Sequence, residues 1–557
     1  MALRGMFVMS PRIRIYRSDE IVCETEGVLG DTFLRCLIDA GCVVDAQCGG
    51  MGKCGKCLVR LSPSGERILA CRTLVVGDAD VYLPDEPEVI SPAAEAVIDP
   101  DIAADCTDNP ADCTDNPADC TANPADCTAN TADCTANAAD SAKPHPLHLQ
   151  LGVAIDIGTT TVVAHIIDIT TGTRLATASG CNAQRVYGAD VISRIRYCAE
   201  NGHEALTRVI REQLASLISE TCTASGREPR DIIYVSIAGN TIMQHIAAGY
   251  SPVGMGTVPF TPVSLFGFEF PAWEGLPASD AAHVYFTPAV SSYVGGDITA
   301  GMLAAGLDNA EDPAVYLDIG TNGEIVLKVG NIFYCCATAA GPAFEGAEIT
   351  MGMAAVSGAI DHVKWDDGLK ISIIGNAAPR GICGSGLLDA LAVLLDTGAV
   401  DETGRLLDAE KVNNEIATHI SKADGKNVFR LTTGTNSVYL SAMDIRKLQL
   451  AKAAISAGIQ TMLSHAGITE KQVKTLILAG GFGSFMDKFS AARIGLFPIK
   501  FLPVAKVLGN TAGEGAALAL CSSTARTELE AIRQRCKYIE LSTNQVFTEQ
   551  FIEQMAF

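Results

Sequence analysis

Short alternating runs of apolar and polar residues fill positions 11–84, vanish between Pro84 and Pro146, and return at Leu151. In the first block RIRIYRS and IVCETEG read as strands, DTFLRCLIDAGC as a helix, and KCLVRLS, ERILACRT and VYLP as further strands. Those segments predict one helix packed over a small mixed sheet. From residue 151 the apolar runs lengthen. Leu151–Asp168 (LGVAIDIGTTTVVAHIID) and Ala314–Leu327 (AVYLDIGTNGEIVL) each reach Asp-Ile-Gly-Thr and then resume as β-branched sequence. Each predicts strand, tight turn, strand, with Gly and hydroxyl residues at the tip.

The pattern after the first hairpin predicts two helical segments within residues 180–222. DIIYVSIAGNTIMQHIAAG then reads as a strand, a Gly239-Asn240 turn and a helix. Gly295-Gly296-Asp297 opens a helix of small residues, and DIRKLQLAKAAISAGIQTMLSHAG reads as a long amphipathic helix. LILAGGFGSF predicts a strand ending in Gly480-Gly481-x-Gly483. VLGNTAGEGAALAL predicts a helix whose Gly509, Gly513 and Gly515 permit close packing.

Between the two blocks a seven-residue unit, Ala-Asp-Cys-Thr-(Asp/Ala)-Asn-(Pro/Thr/Ala), repeats with Cys106, Cys113, Cys120, Cys127 and Cys134 in register. Prolines, Asp/Asn in every unit and the lack of an apolar a/d pair exclude a coiled coil. The repeat reads as a flexible acidic tether whose thiols arise from expansion of a neutral unit. The expected division is therefore 1–90, a linker at 91–149, and two parts at 150–312 and 313–557. A net charge of −23 argues against nucleic acid or an anionic membrane as partner. No apolar run reaches membrane-spanning length and the first residues lack a signal-peptide core, so the sequence predicts a cytoplasmic protein.

Twenty cysteines in uneven groups point to metal or redox chemistry rather than a disulfide framework. Cys48, Cys54, Cys57 and Cys71 are spaced C-x5-C-x2-C with thirteen residues before the last, in a loop rich in Gly49, Gly50, Gly52 and Gly55. Thiolates bind iron–sulfur clusters, and glycines let backbone N–H groups approach sulfide. Only one Cys-x2-Cys knuckle is present, where zinc usually takes two. Cys36 falls on the apolar face of the predicted helix and reads as a buried small hydrophobe.

The two hairpin tips carry Gly158, Thr159, Thr160 and Thr161, and Gly320, Thr321, Asn322 and Gly323. Such tips offer N–H groups and hydroxyls to a polyphosphate, and Asp156 and Asp318 are placed to hold Mg²⁺ directly or through water. Asp297, at a glycine-loosened helix start, reads as a helix N-cap. Glu345, in the turn after Gly341-Pro342, reads as a second Mg²⁺ carboxylate or a structural residue. No G-x-G-x-x-G follows the first strand and no Walker A loop occurs, which removes the Rossmann and P-loop readings.

The first cysteine loop closely resembles the 2Fe–2S ferredoxins of the β-grasp fold, with the spacing of their adrenodoxin-like branch. The paired hairpins and the Gly480-Gly481-x-Gly483 turn resemble the acetate and sugar kinase/Hsp70/actin (ASKHA) superfamily. That likeness implies two related half-domains, adenosine binding at the glycine turn, and a catalytic role for Asp297. Read in order, DIGTTT, YGADVISRI, SSYVGGDITAG, DIGTNGEI, AAGPAFEGA, PRGICGSGL, DIRKLQLAKAAI, LAGGFGSF and GNTAGEGA closely resemble the ATP-dependent reductive activators of corrinoid proteins. The resemblance covers all but the linker; some relatives carry a small extra domain where this chain has the repeat.

The resemblance implies a multidomain α/β protein: a 2Fe–2S domain, a tether and an actin-like ATPase. Its implied reaction is one-electron reduction of a Co(II) corrinoid to Co(I), driven by ATP. The implied partners are a corrinoid protein and a low-potential donor such as a ferredoxin, flavodoxin or reductase. A homodimer is one arrangement compatible with it. Each 100 mV uphill costs about 2.3 kcal/mol per electron, well within reach of nucleotide hydrolysis. The alternatives are a redox-regulated sugar- or acid-kinase-like phosphotransferase, and a non-enzymatic redox sensor with a vestigial nucleotide site.

Overall fold

A computed structural model describes residues 10–42, 44, 56–84, 150–346, 348–434, 437–481 and 486–557. The linker repeat, Cys48, Cys54 and Gly483 lie outside the described residues.

The N-terminal block forms β1 (Arg12–Arg17), β2 (Glu20–Glu26), α1 (Phe33–Asp39), β3 (Leu58–Ser62), β4 (Arg67–Leu69) and β5 (Ala79–Tyr82). The sheet order is β2-β1-β5-β3-β4, with β1 and β5 parallel and the other pairs antiparallel. Helix α1 starts where Thr32 accepts a hydrogen bond from Arg35 N. Its Phe33, Leu34, Cys36 and Leu37 pack on Ile13, Ile15, Val59 and Val81, so Cys36 is a core residue as its position predicts.

The remaining chain builds two larger sheets of related topology. In the first are β6 (Leu151–Ile157), β7 (Thr161–Asp168), β8 (Thr173–Cys181), β9 (Ile232–Gly239), β10 (Glu269–Pro271) and β11 (His283–Phe286), ordered β10-β11-β9-β6-β7-β8. The second contains β12 (Ala314–Ile319), β13 (Gly323–Val329) and β14 (Ile332–Thr338) from its start. Two small sheets follow: β15 (Ala359–Trp365), β16 (Leu369–Ile373) and β17 (Gly381–Ile382), then β18 (Ile420–Ala423), β19 (Lys426–Arg430) and β20 (Tyr439–Ser441). The chain returns to the second large sheet with β21 (Thr475–Ala479), β22 (Ala505–Val507) and β23 (Cys536–Tyr538), giving the order β22-β21-β12-β13-β14-β23.

In both large sheets an antiparallel meander is extended by parallel strands from later in the chain: β9 beside β6, and β21 beside β12. This repeat is the ASKHA architecture, and it puts the two predicted hairpin tips at the same ends of their sheets.

Helices α2 (Val191–Asn201), α3 (Glu204–Ser225) and α4 (Thr241–Ala248) belong to the first half, with α5 (Gly296–Ala304) leading out of it. In the second half, α6 (Gly384–Asp396) and α7 (Ala442–Ala466) pack near the sheet, and α8 (Thr511–Cys521) crosses back to pack on β6, β9 and α5. A Cβ at Gly515 would sit 2.1 Å from Ala300 O, so the α5–α8 crossing requires glycine there. Helix α7 departs from the one-sided face its sequence predicts. It lies between β13/β14 and the helix at Gln545–Glu553, and Gln449, Lys452 and Ser456 are buried along with its apolar residues. Being covered on two sides, it leaves no polar face for periodicity to reveal.

Candidate active site in the cleft between the half-domains

Both hairpins open onto one cavity of about 610 Å³, within the usual range for small-molecule sites. Gly158, Thr159, Thr160 and Thr161 line it from the first half, and Gly320, Thr321 and Asn322 from the second. Asp156, Asp297, Asp318, Glu345, Gly480 and Gly481 are also on its wall. Gly323, grouped with these by sequence, does not line the cavity. It opens β13 against Ile455 and Thr338, where a Cβ would come within 2.8 Å of both, so packing explains this glycine.

The tips are tight turns by hydrogen bonding. Gly158 N donates to Thr161 O at 2.9 Å, and Gly320 N donates to Asn322 O at 2.9 Å. Gly480, at the end of β21, has φ +93°, and a Cβ there would lie 2.5 Å from Asp318 Oδ1. The glycine turn therefore presses directly on the carboxylate of the second hairpin. Asp297 is not the N-cap of α5; Gly295 holds that position, and Asp297 Oδ1 accepts from Ile298 N at 2.9 Å.

Glu345 ties the two tips together. Thr321 Oγ1 donates to its Oε1 at 2.8 Å, and Thr160 Oγ1 donates to its Oε2. Burial raises the Glu345 pKa, opposed by those hydroxyls and by Arg194.

The other carboxyls are shifted upward as well. Asp156 is pushed up to about 7 by burial, with the charge of Asp318 adding and Asn510 opposing. Burial pushes Asp318 up to about 6, opposed by a hydrogen bond from Tyr316, whose Oη donates to Oδ2 at 3.3 Å. Asp297 is held well above the carboxylate range by burial, then by Asp318 and Asp156. So many carboxyls in one cleft make a strong cation attractor, since any divalent ion relieves their mutual repulsion. Among the described residues no three or more His, Cys, Asp or Glu converge to chelate a bare metal ion.

The comparisons with known proteins bear on what such a cleft serves. A family model described as the RACo middle region matches residues 151–310, and one described as the C-terminal ASKHA domain of RACo matches 312–557. The chain is 31% identical to the corrinoid activation enzyme RamQ of Eubacterium limosum over 597 aligned residues, covering 97% of this chain and 98% of that one. The chain belongs to the family of reductive activators of corrinoid proteins. A solved activator, described as a reductive activator for corrinoid, iron–sulfur protein, superposes with a TM-score of 0.68 at 30% identity, covering 98% of both chains. A more distant relative is the [Co(II) methylated amine-specific corrinoid protein] reductase of Methanosarcina barkeri, 25% identical over 378 residues, 62% of this chain and 66% of that one.

Two cysteines of the N-terminal set lie among the described residues. Cys57 and Cys71 are buried, and their Sγ atoms are 3.2 Å apart. A disulfide would need about 2.05 Å, so this is a pair of thiols converging on one point. Cys57 Sγ donates to Cys71 Sγ, and thiols are the donor type an iron–sulfur cluster takes.

Sequence reasoning missed several groups. Glu324, 8% exposed on β13, lines the cavity and is held well above its usual range by burial and by Asp297 and Asp318. Every residue of β13 up to Lys328 is buried, so alternation carried no signal there. Asn510, which contacts Asp156, sits one residue beyond a glycine that drew the attention. Arg194 is fully buried in α2, donating through Nη2 to Thr159 O at 2.6 Å and through Nε to Gly188 O at 3.0 Å. Burial lowers it to about 9. Its only signal was an arginine on the inward face of an amphipathic helix.

Proposed function

We propose that this protein is an ATP-dependent activator that reduces an inactive Co(II) corrinoid protein to Co(I), one electron at a time. The observation that carries the reading is Glu345, bridging Thr160 and Thr321 on the wall of a carboxylate-rich cleft. It makes the separation of the half-domains sensitive to whatever occupies the hairpins.

In this reading the N–H groups and hydroxyls of residues 158–161 and 320–322 grip the ATP polyphosphate, and Gly480 and Gly481 receive the adenosine. Asp156 and Asp318 orient hydrated Mg²⁺, and Asp297 positions the attacking water. Cys48, Cys54, Cys57 and Cys71 hold a 2Fe–2S cluster, which when bound supplies a one-electron carrier. The domain keeps Cys57 and Cys71 buried. Glu345 holds Thr160 and Thr321 together as the nucleotide-filled half-domains close. Hydrolysis reopens them, so the uphill reduction is pulled forward by a downhill conformational cycle. A low-potential ferredoxin, flavodoxin or reductase is the donor class this chemistry requires.

The test is optical. Purified protein, Mg²⁺–ATP, a low-potential reductant and candidate corrinoid proteins are mixed, and Co(I) corrinoid formation is followed by absorbance. ATP-dependent Co(I) formation is expected; ATP-independent reduction at the same rate, or none with any corrinoid partner, overturns the proposal.

A further inference from the structure

The N-terminal domain touches both half-domains of the ATPase. On one side, Ile38 of α1 packs at once on the core of its own domain and on the apolar cluster of the first half-domain that includes Tyr187. Arg35 and Asp39 on the same helix act electrostatically on Tyr187 and Tyr197, whose rings meet edge-on at 4.8 Å. On the other side, Lys56, next to Cys57, donates through Nζ to Gly352 O of the second half-domain at 3.2 Å.

Each contact lies one step from a phosphate hairpin. Tyr197 shares helix α2 with Arg194, which donates to Thr159 O in the first tip. Gly352 backs onto Gly346 so closely that a Cβ would fall 2.0 Å from Gly346 O, and Gly346 follows Glu345. Glu345 in turn receives Thr160 and Thr321.

We propose that the ferredoxin-like domain docks across the cleft with α1 on Tyr187 and Tyr197 and Lys56 on Gly352, so that nucleotide-driven closure shifts its seat. The occupant of this surface is therefore the chain's own first domain. Tethering keeps that domain at an effective concentration on the order of mM, so a contact too weak to hold two separate proteins is still populated. The two seats belong to different half-domains, so any change in the angle between them must strain or release one contact. That makes the docked domain a direct reader of cleft state, while leaving it able to leave and meet a partner. The second half of the proposal rests on nucleotide binding in the cleft; the docking itself does not.

The full chain carrying a photo-crosslinking benzoylphenylalanine in place of the exposed Arg35 tests the first seat, and the same label in place of Lys56 tests the second. Label in place of Glu24, on the far strand, is the control. Digestion and mass spectrometry should find the first label joined to residues 183–201 and the second to residues 346–353, at least fivefold over the control. Retention of the visible iron–sulfur absorption verifies that each labelled domain is intact. Adding a non-hydrolysable ATP analogue should change both yields at least twofold. Cross-links no stronger than the control overturn the docking. Strong cross-links that ignore nucleotide overturn the coupling and leave a fixed seat. Neither result depends on a corrinoid protein, so failure here is distinct from failure of the proposed reduction.

Discussion

Thr160 and Thr321, from hairpins 161 residues apart in the chain, bring their hydroxyl oxygens to 3.5 Å and share one carboxylate, Glu345. A charged acceptor with two hydroxyl donors is worth more than neutral bonds, about 1.5–3 kcal/mol each. Glu345→Gln keeps the shape but removes the charge. We expect ATP turnover to fall about 10- to 100-fold, the range such a loss gives if it appears in the barrier. Phosphate release by the variant checks this. An unchanged rate would reduce Glu345 to a structural turn residue.

Cluster ligation can be read by colour. Cys71→Ala removes one of two thiols that already converge at 3.2 Å, and Cys48→Ala removes a residue of the same spacing pattern. Either should bleach the purified protein while leaving nucleotide binding intact. Bleaching by Cys42→Ala but not by Cys48→Ala would show that the ligands are misassigned.

The five repeat thiols should be dispensable. Changing Cys106, Cys113, Cys120, Cys127 and Cys134 together to Ser is expected to leave iron content and Co(I) formation unchanged. Loss of either in that variant would make the tether a metal-binding element.

Acid should weaken the nucleotide site. Asp156 is raised to about 7 and Asp318 to about 6, so both carry protons in the folded protein over a range where the unfolded chain has lost them. Without metal, their contribution to stability is therefore greatest at low pH and declines as pH rises from the ordinary carboxylate range through about 7. Mg²⁺ must displace those protons, so its affinity moves the other way and rises over the same interval. Titrating Mg²⁺–nucleotide binding from pH 5.5 to 8 should show affinity increasing and then levelling off above about 7. Asp156→Asn should flatten the upper part of that rise. A pH-independent affinity in the wild type would contradict the upward shifts.

The hairpins were readable in sequence because their signals are local: Asp-Ile-Gly-Thr between two β-branched runs specifies a turn wherever it stands. The crossing of α5 and α8 was half readable, since glycines announce close approach without naming what approaches. Glu324 and Arg194 were not readable. Glu324 lies on a strand buried on both faces, so no alternation marks it, and Arg194, though on the inward face of an amphipathic helix, takes its role from Thr159 in another element. Gly323 also packs on Ile455, a tertiary contact that the local pattern at a hairpin tip does not show. The long helix at 442–466 shows the same limit, being buried on two sides by elements that periodicity cannot see.

Coupling between nucleotide and electron gives the last prediction. Asp318 lines the cleft, touched by Tyr316 and pressed on by Gly480, whereas Cys57 and Cys71 belong to a separate apolar core with Ile13, Val59 and Val81. Asp318→Ala removes a buried carboxyl and leaves that second core alone, so the iron–sulfur spectrum should stay normal. ATP turnover should drop about 100-fold or more if this group organises Mg²⁺ and the second hairpin. Co(I) formation should fall in parallel, because an electron moved uphill needs the closure that nucleotide drives. In the wild type, the corrinoid protein should raise nucleotide affinity, and with it phosphate release at sub-saturating ATP, since by reciprocity a partner that prefers one cleft state is favoured by the ligand that produces it. Phosphate and Co(I) measured side by side in the wild type and in Asp318→Ala check each step. Full corrinoid reduction by a variant that neither binds nor hydrolyses ATP would sink the coupling and leave an electron carrier on a silent scaffold.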